Sequence, residues 1–464
     1  MTHAIRQDRL PSRWTLLLAA ALAGAACTAP VRAACVDEDK FDTRNGAAAN
    51  AGSASAIAAA GNPPAPRALL QGLVQDALAR NHGIGAARLL AEAALQDIEE
   101  ARANKLPQAS LTGSVSPSLG SGTDAIGSQV QARAGINVGQ TLFDGGRGDR
   151  IVDWRRQQAE AARLGLLSTQ EQITLSTTSL AFERSRFRMQ AVIYGQHVRK
   201  MACLVEALDT IVAADKGRTS ELVQARKQLQ QAELQQVQAM SQARQVEAKL
   251  RRMVGDGLPG TEGMGTLLLT VPELPEVLTA AERASDIAQL DANALAAKEM
   301  ARVIEAGTRP QVSWNVGGSA NVAAGGGNPR TAGLSAGVTV SIPLLNPAID
   351  YSVQAARKRA EAMALQRADV LEARRQRIVE VHEQAGAAFD RLKRVGLVLH
   401  DSDRLRNFTL QQWQQLGRRS LFDVMAAEGD HYNLRVQYIN ALHDGQQMNA
   451  TLLSLGTGLG QWLR

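Results

Sequence analysis

The sequence predicts a mixed fold, with very long α-helices attached to two pairs of membrane β-strands and one unit built twice. Three observations predict it. Residues 118–258 and 348–464 contain no proline and are rich in Ala, Leu, Gln, Glu and Arg. Proline costs a helix interior about 3 kcal/mol, so proline-free stretches of this length suit long helices. Four segments alternate apolar and polar residues strictly, the period of a strand with two unlike faces. The chain also repeats itself in order. Leu106-Pro107-Gln108 returns as Arg309-Pro310-Gln311, and Thr141-Leu142-Phe143 as Pro343-Leu344-Leu345. Ala181-Phe182-Glu183-Arg184 returns as Ala388-Phe389-Asp390-Arg391, and Gly217-Arg218-Thr219-Ser220 as Gly417-Arg418-Arg419-Ser420. The period is far too long for a solenoid repeat and reads as a duplication.

The elements follow in chain order. Arg6, Arg9 and Arg13 precede an apolar run from Trp14 to Ala26 and the small-residue site Val31-Arg32-Ala33. That is the pattern of a secretory signal peptide over 1–33, with cleavage expected near Ala33 or Ala34. Cys27 sits in a poor lipoprotein box, so its lipidation stays open, as does a disulfide between Cys35 and Cys203. Residues 34–66 read as a flexible arm. The first repeat, 67–255, holds a helix from about 66 to 105, a strand pair at 108–140, a long helix from about 148 to 216, a tip at Gly217 and another helix. A Pro-rich linker covers 256–277. The second repeat, 278–455, has its strand pair at 311–342, its long helix at about 348 to 416 and its tip at Gly417, before a tail at 456–464. Each long helix would run roughly 100 Å at 1.5 Å per residue, and the Ala-rich faces suit coiled-coil packing.

The strands carry the strongest inference. Ala109, Leu111, Gly113 and Val115 alternate with Ser110, Thr112, Ser114 and Ser116. Val130, Ala132, Ala134, Ile136 and Val138 alternate with Gln129, Gln131, Arg133 and Asn137. Val312, Trp314, Val316, Ala320 and Val322, and then Leu334, Ala336, Val338, Val340 and Ile342, do the same in the second pair. Each is read as about ten residues, the span of an outer-membrane strand. The polar face is almost entirely uncharged Ser, Thr, Asn and Gln, whereas a solvated soluble sheet carries more Lys and Glu. Four strands cannot close a barrel, and an open edge is not tolerated in lipid. Copies must share one barrel. Two would give eight strands, and three would give twelve with room for a pore, which suits transport better.

These stretches resemble the TolC family of outer-membrane channel proteins over roughly residues 67–455. The resemblance is carried by "LVQDALARNHGIGAARLLAEAALQDIEEARANKLPQASLTGS", "GQTLFDGGR" and "GRRSLFDVMAAEGDHYNLRVQYINALHD". It implies a homotrimer with a 12-stranded outer-membrane barrel and a periplasmic helical tunnel. It also implies two partners, a periplasmic adaptor and an inner-membrane transporter. "GRRSLFDVMAAE" looks more like secretion-associated members. The expected function is therefore the exit duct of a type I secretion system, working with an ABC transporter to export a large polypeptide. The alternative is a small-molecule efflux duct with a proton-driven pump.

The resemblance also implies sites at the helical tips. Gly217, Arg218, Thr219 and Ser220, with Gly417, Arg418 and Ser420, would dock the adaptor, glycine giving the chain freedom to turn back. Asp423 matches the first acidic position of the family's tip motif, and Ala426 stands where the second acid would be. A single acidic ring at Asp423 is expected, latched by an Arg419–Glu221 pair. The second strand-to-helix turn, Ile342-Pro343-Leu344-Leu345-Asn346-Pro347, lacks the usual Gly-Gly.

Other chemistries find no support. The net charge of +6 comes without a dense basic block, which argues against nucleic acid. Gly333-Leu334-Ser335-Ala336-Gly337 imitates a serine-hydrolase elbow, but strand alternation runs straight through Ser335. Gly456-Thr457-Gly458-Leu459-Gly460 has no strand before it, and no Walker loop is present. The seven histidines lack metal-ligand spacing. No enzyme activity, cofactor or metal is expected.

Overall fold

The computed structural model describes residues 41–42, 47–48, 65–122, 125–324, 330–416 and 420–464. The chain divides at Val36, and all of the described elements belong to the unit Asp37–Arg464. Inside the segment expected to be a plain arm, β1 (Phe41–Asp42) and β2 (Ala47–Ala48) form a small antiparallel ribbon.

The first helix is two helices. α1 (Pro66–Arg80) and α2 (His82–Ala103) are separated by Asn81, whose backbone is extended and whose side-chain oxygen accepts from Ile84 N at 3.1 Å. Asparagine competes with the helix for its own backbone and caps the next one instead. β3 (Gln108–Gly122) and β4 (Ala125–Phe143) follow, 15 and 19 residues long rather than about ten. The turn Asp144-Gly145-Gly146 then opens α3 (Arg147–Ala214). Gly145 and Gly146 have φ of +66° and +86°, which other residues rarely adopt. A Cβ on Gly145 would also strike the Arg309 side chain. Asp144 closes the turn by accepting from Gly146 N at 2.9 Å and Gly148 N at 2.6 Å.

A short 3₁₀ turn leads to α4 (Thr219–Val254). The expected linker is partly helical, because α5 (Leu274–Ala281) begins inside it; α6 (Ser285–Ala306) comes next. β5 (Gln311–Ala324) and β6 (Arg330–Ser341) make the second strand pair. The glycine-free turn is solved differently from the first. Proline at the first helical position needs no N–H partner, so Pro347 starts α7 (Pro347–Leu416) directly. α8 (Leu421–Leu455) and α9 (Leu459–Leu463) complete the chain, so the expected tail holds a short helix.

The strands form one antiparallel sheet in the order β3-β4-β5-β6, so the central pairing, β4 with β5, joins the two repeats. α3 is the central helix, packed against α2, α4, α6 and α8. One core gathers Leu70 and Leu73 of α1, Phe182 of α3, Leu250 of α4, Met264, and Ala450 of α8. The linker is stapled to this core by two amides of α8. Gln446 Nε2 donates to the carbonyls of Met264 (2.9 Å) and Leu267 (2.6 Å). Asn449 Nδ2 donates to those of Leu268 (2.7 Å) and Thr270 (3.1 Å). They hold Leu268 at φ +53°, an unusual backbone for leucine.

Candidate functional site

The sheet has two chemically different faces, and register aligns them across all four strands, with Gln140 and Arg330 as polar exceptions on the apolar face. One row runs Leu111, Ile136, Gly318, Leu334, and its neighbour on the same face runs Ala109, Val138, Val316, Ala336. The opposite face sets Ser110, Asn137, Gly317 and Ser335 in one row and Ser114, Arg133, Asn321 and Thr331 in another. The apolar face is uncovered: Leu111 is 77% exposed and Leu334 90%. Leaving such a face in water forfeits about 25 cal/mol per Å² of apolar area, so lipid is its natural solvent. Where the strands run into α7, Leu344 and Leu345 are also bare. Among the described residues no helix is long and apolar enough to cross a membrane.

At the first tip, Gly217 lies in the 3₁₀ turn Lys216–Arg218, and its φ is not positive. Asp215 makes the reversal, with φ −132°, its carboxylate accepting from Gly217 N at 2.9 Å. Thr219 Oγ1 donates to the Lys216 carbonyl at 2.7 Å, and Ser220 is exposed beside it. Glu221 forms an ion pair with Arg218 on its own hairpin, Nε to Oε2 3.7 Å. Arg419, its expected latch partner, lies outside the described residues, as do Gly417 and Arg418. Ser420 caps α8 by accepting from Phe422 N at 3.2 Å. Asp423 follows in the first turn of α8, exposed, where a carboxylate also suits the helix dipole. The helix ends beside the tips are joined by an apolar cluster of Met201, Leu204 and Leu208 from α3, Leu222 and Ala225 from α4, and Leu421, Val424 and Met425 from α8.

Just above this cluster lies a feature that sequence reasoning missed. Glu428 of α8, 1% exposed, stands between Lys200 of α3 and Arg406 of α7, each at 3.5 Å. Arg406 also pairs with Asp403 at 2.8 Å. One buried carboxylate thus ties three helices from both repeats. Tyr432 adjoins it, stacked on His197 of α3 with ring centroids 4.7 Å apart and met edge-on by His431. Burial holds His197 down at about 4. Burial first, and then the charges of Arg406 and Arg435, lower His431 to about 3. His443, further along α8, is pushed to about 4 by burial. Neutral imidazoles therefore line this seam at neutral pH. The sequence did hold a signal. Glu428, His431 and Arg435 continue the spacing of Leu421, Val424 and Met425, placing polar residues on an otherwise apolar stripe.

No group of three or more His, Cys, Asp or Glu residues that would hold a metal occurs among the described residues. A cavity of about 1210 Å³, open to solvent, lies beside the linker. Three of its charged groups, Glu171, Arg374 and Asp286, already have structural partners. Glu171 accepts from Leu459 N at 2.6 Å and Gly460 N at 3.3 Å, while Arg374 holds Asp286 and the Leu455 carbonyl. Cys203, on α3, is disulfide-bonded.

A sheet with one lipid-suited face, continued by helical hairpins far longer than a globular core requires, is the fold of outer-membrane channels with a periplasmic helical portion. Residues 73–256 match the family described as outer membrane efflux protein. That match spans the first repeat, and the fold of most of the chain is shared with solved outer-membrane channels. CusC, whose structures concern transmembrane channel formation, superposes with a TM-score of 0.72 at 16% identity, covering 83% of this chain and 92% of that one. The outer membrane protein VceC of Vibrio cholerae gives 0.70 at 17% identity, covering 84% and 97%. The open-state MtrE channel of Neisseria gonorrhoeae gives 0.68 at 15%, covering 84% and 89%. No curated protein matches the sequence.

Proposed function

We propose that three copies of this chain close a 12-stranded barrel and continue it as a periplasmic tunnel, forming the passive exit duct of a tripartite export system. One observation carries the reading: β3 and β6 end a four-stranded sheet with two unpaired edges among the described residues. Unpaired backbone in lipid costs several kcal/mol per group. Pairing β6 of one copy with β3 of the next removes every edge. Energy for export must then come from an inner-membrane transporter, reached through a periplasmic adaptor docked at Gly217–Ser220 and Gly417–Ser420. In this reading Asp423 forms a threefold carboxylate ring at the tunnel end, and a pairing of Glu221 with Arg419 holds it closed.

The tip segment "GRRSLFDVMAAE" favours a large polypeptide as cargo, exported with an ABC transporter. A second reading, small-molecule efflux with a proton-driven pump, is supported by the efflux-family match over residues 73–256. Deleting the gene separates them. Loss of a large polypeptide from the culture medium with unchanged drug and metal tolerance supports secretion. Increased sensitivity with an unchanged secreted fraction supports efflux.

A further inference from the structure

Among the described strand residues 108–117, 130–143, 311–322 and 330–341, the only ionisable side chains are Arg133 and Arg330. Register separates them. Arg330 pairs with Val322, in the row of Val115 and Ala132, so it lies on the apolar face at the start of β6. Arg133 lies on the polar face, in the row Ser114, Arg133, Asn321, Thr331. Its position is built. Arg133 Nε donates to Asn321 Oδ1 at 2.7 Å, and Asn321 Nδ2 donates in turn to Thr331 Oγ1 at 3.4 Å. A chain of hydrogen bonds across three strands therefore fixes the guanidinium through one nitrogen. Its two terminal nitrogens stay on the polar face, where its neighbours are hydroxyls and amides, and no acid lies on that face among the described strand residues.

We infer that Arg133 is the charge selector of the barrel, making its interior favour negatively charged solutes, phosphate and carboxylate groups above all. The inference rests on the proposed trimer with the polar face inward. Three guanidiniums then stand at one level of the pore, with no carboxylate on the described wall to cancel them. A protein-walled channel focuses such a field, enriching ions of opposite sign. Guanidinium also offers a planar fork that fits phosphate and carboxylate oxygens. Uncharged polar walls elsewhere would leave passage otherwise unselective. A screening length of about 30 Å at 0.01 M salt against 3 Å at 1 M makes the effect strongest in dilute salt.

The test is reversal potential across planar bilayers holding the purified full-length channel, under a tenfold KCl gradient in dilute salt. Comparing variants with wild type removes the constant contribution of Asp423 in series. Arg133→Gln should lower the chloride-to-potassium permeability ratio by about twofold, Arg133→Glu should lower it further, and Arg133→Lys should keep it near wild type. Inorganic tripolyphosphate added at the strand-loop side should reduce wild-type conductance and leave that of Arg133→Gln unchanged. Conducting Arg133→Gln and Arg133→Glu channels with wild-type reversal potentials would overturn the inference while leaving the barrel standing. Failure of the wild-type protein to conduct would overturn the barrel reading and the inference with it.

Discussion

α3 and α7 hold corresponding places in the two repeats, at 68 and 70 residues, yet their surfaces differ. α3 is enclosed within the chain: Phe182, Ile193, Met201, Leu204 and Leu208 are buried, and so are Thr177, Ser185 and Gln196. α7 packs on α6 and α8 and leaves an apolar outer face. Leu397 is 72% exposed, Leu405 57% and Phe408 60%, at spacings that put them on one side of the helix. Duplication set the lengths alike, but one chain has partners for only one copy. The unpaired edges of β3 and β6 say the same of the sheet. In the proposed trimer another copy of the same chain covers both.

The largest effect should come from the buried side of the comparison. Glu428→Ala removes the buried carboxylate that Lys200 and Arg406 share, and losing one partner of such a set costs about 3–5 kcal/mol. Thermal unfolding followed by circular dichroism should show a clear drop in midpoint. Glu361→Ala on α7, whose Lys358 partner is exposed, should cost about 0–1 kcal/mol. Equal losses would erase the distinction drawn between the two helices.

Next comes the outer face of α7. Phe408→Asp should leave helix content intact and abolish the oligomer, since a buried aromatic contributes about 1.5–3 kcal/mol at each of three equivalent contacts. A variant that still assembles, read by native mass measurement, would place the interface elsewhere.

A third effect is pH. His197, His431 and His443 have folded values of about 4, 3 and 4 against about 6.5 unfolded. Their contribution is complete above pH 6.5. It is lost as pH falls towards 4, because the unfolded chain binds the protons first. Each adds a slope of about 1.4 kcal/mol per pH unit in that window. His431→Gln should flatten the acid limb of the stability curve, and an unchanged limb would remove this seam as its source.

The smallest effect on stability should be at the tips. Thr219→Trp and Ser420→Trp change exposed side chains and should leave assembly intact while reducing export through a weakened adaptor contact. Normal export by both would make these turns plain helix caps. Glu221→Lys should raise single-channel conductance if the closed end is held by this acid.

Much of the fold is legible in one dimension. Alternation in 108–138 and 312–342, and the absence of proline from 118–258, are local patterns that no distant contact can hide. The break at Asn81 was less legible, because a single polar residue ends the helix only once its side chain bonds back to Ile84. The tip was legible as a place and not as a geometry, since Asp215 rather than Gly217 supplies the turn. Least legible was the Lys200–Glu428–Arg406 seam. Its members come from three helices, and a buried carboxylate looks like a surface one until the helices are packed together.

The most direct test of the shared barrel is the mass of the detergent-extracted outer-membrane protein, measured natively together with its ion conductance. Shared edges predict one species of three chains, conducting ions only in that form. A monomer that conducts on its own would contradict the claim that the four strands of each chain are one third of a barrel.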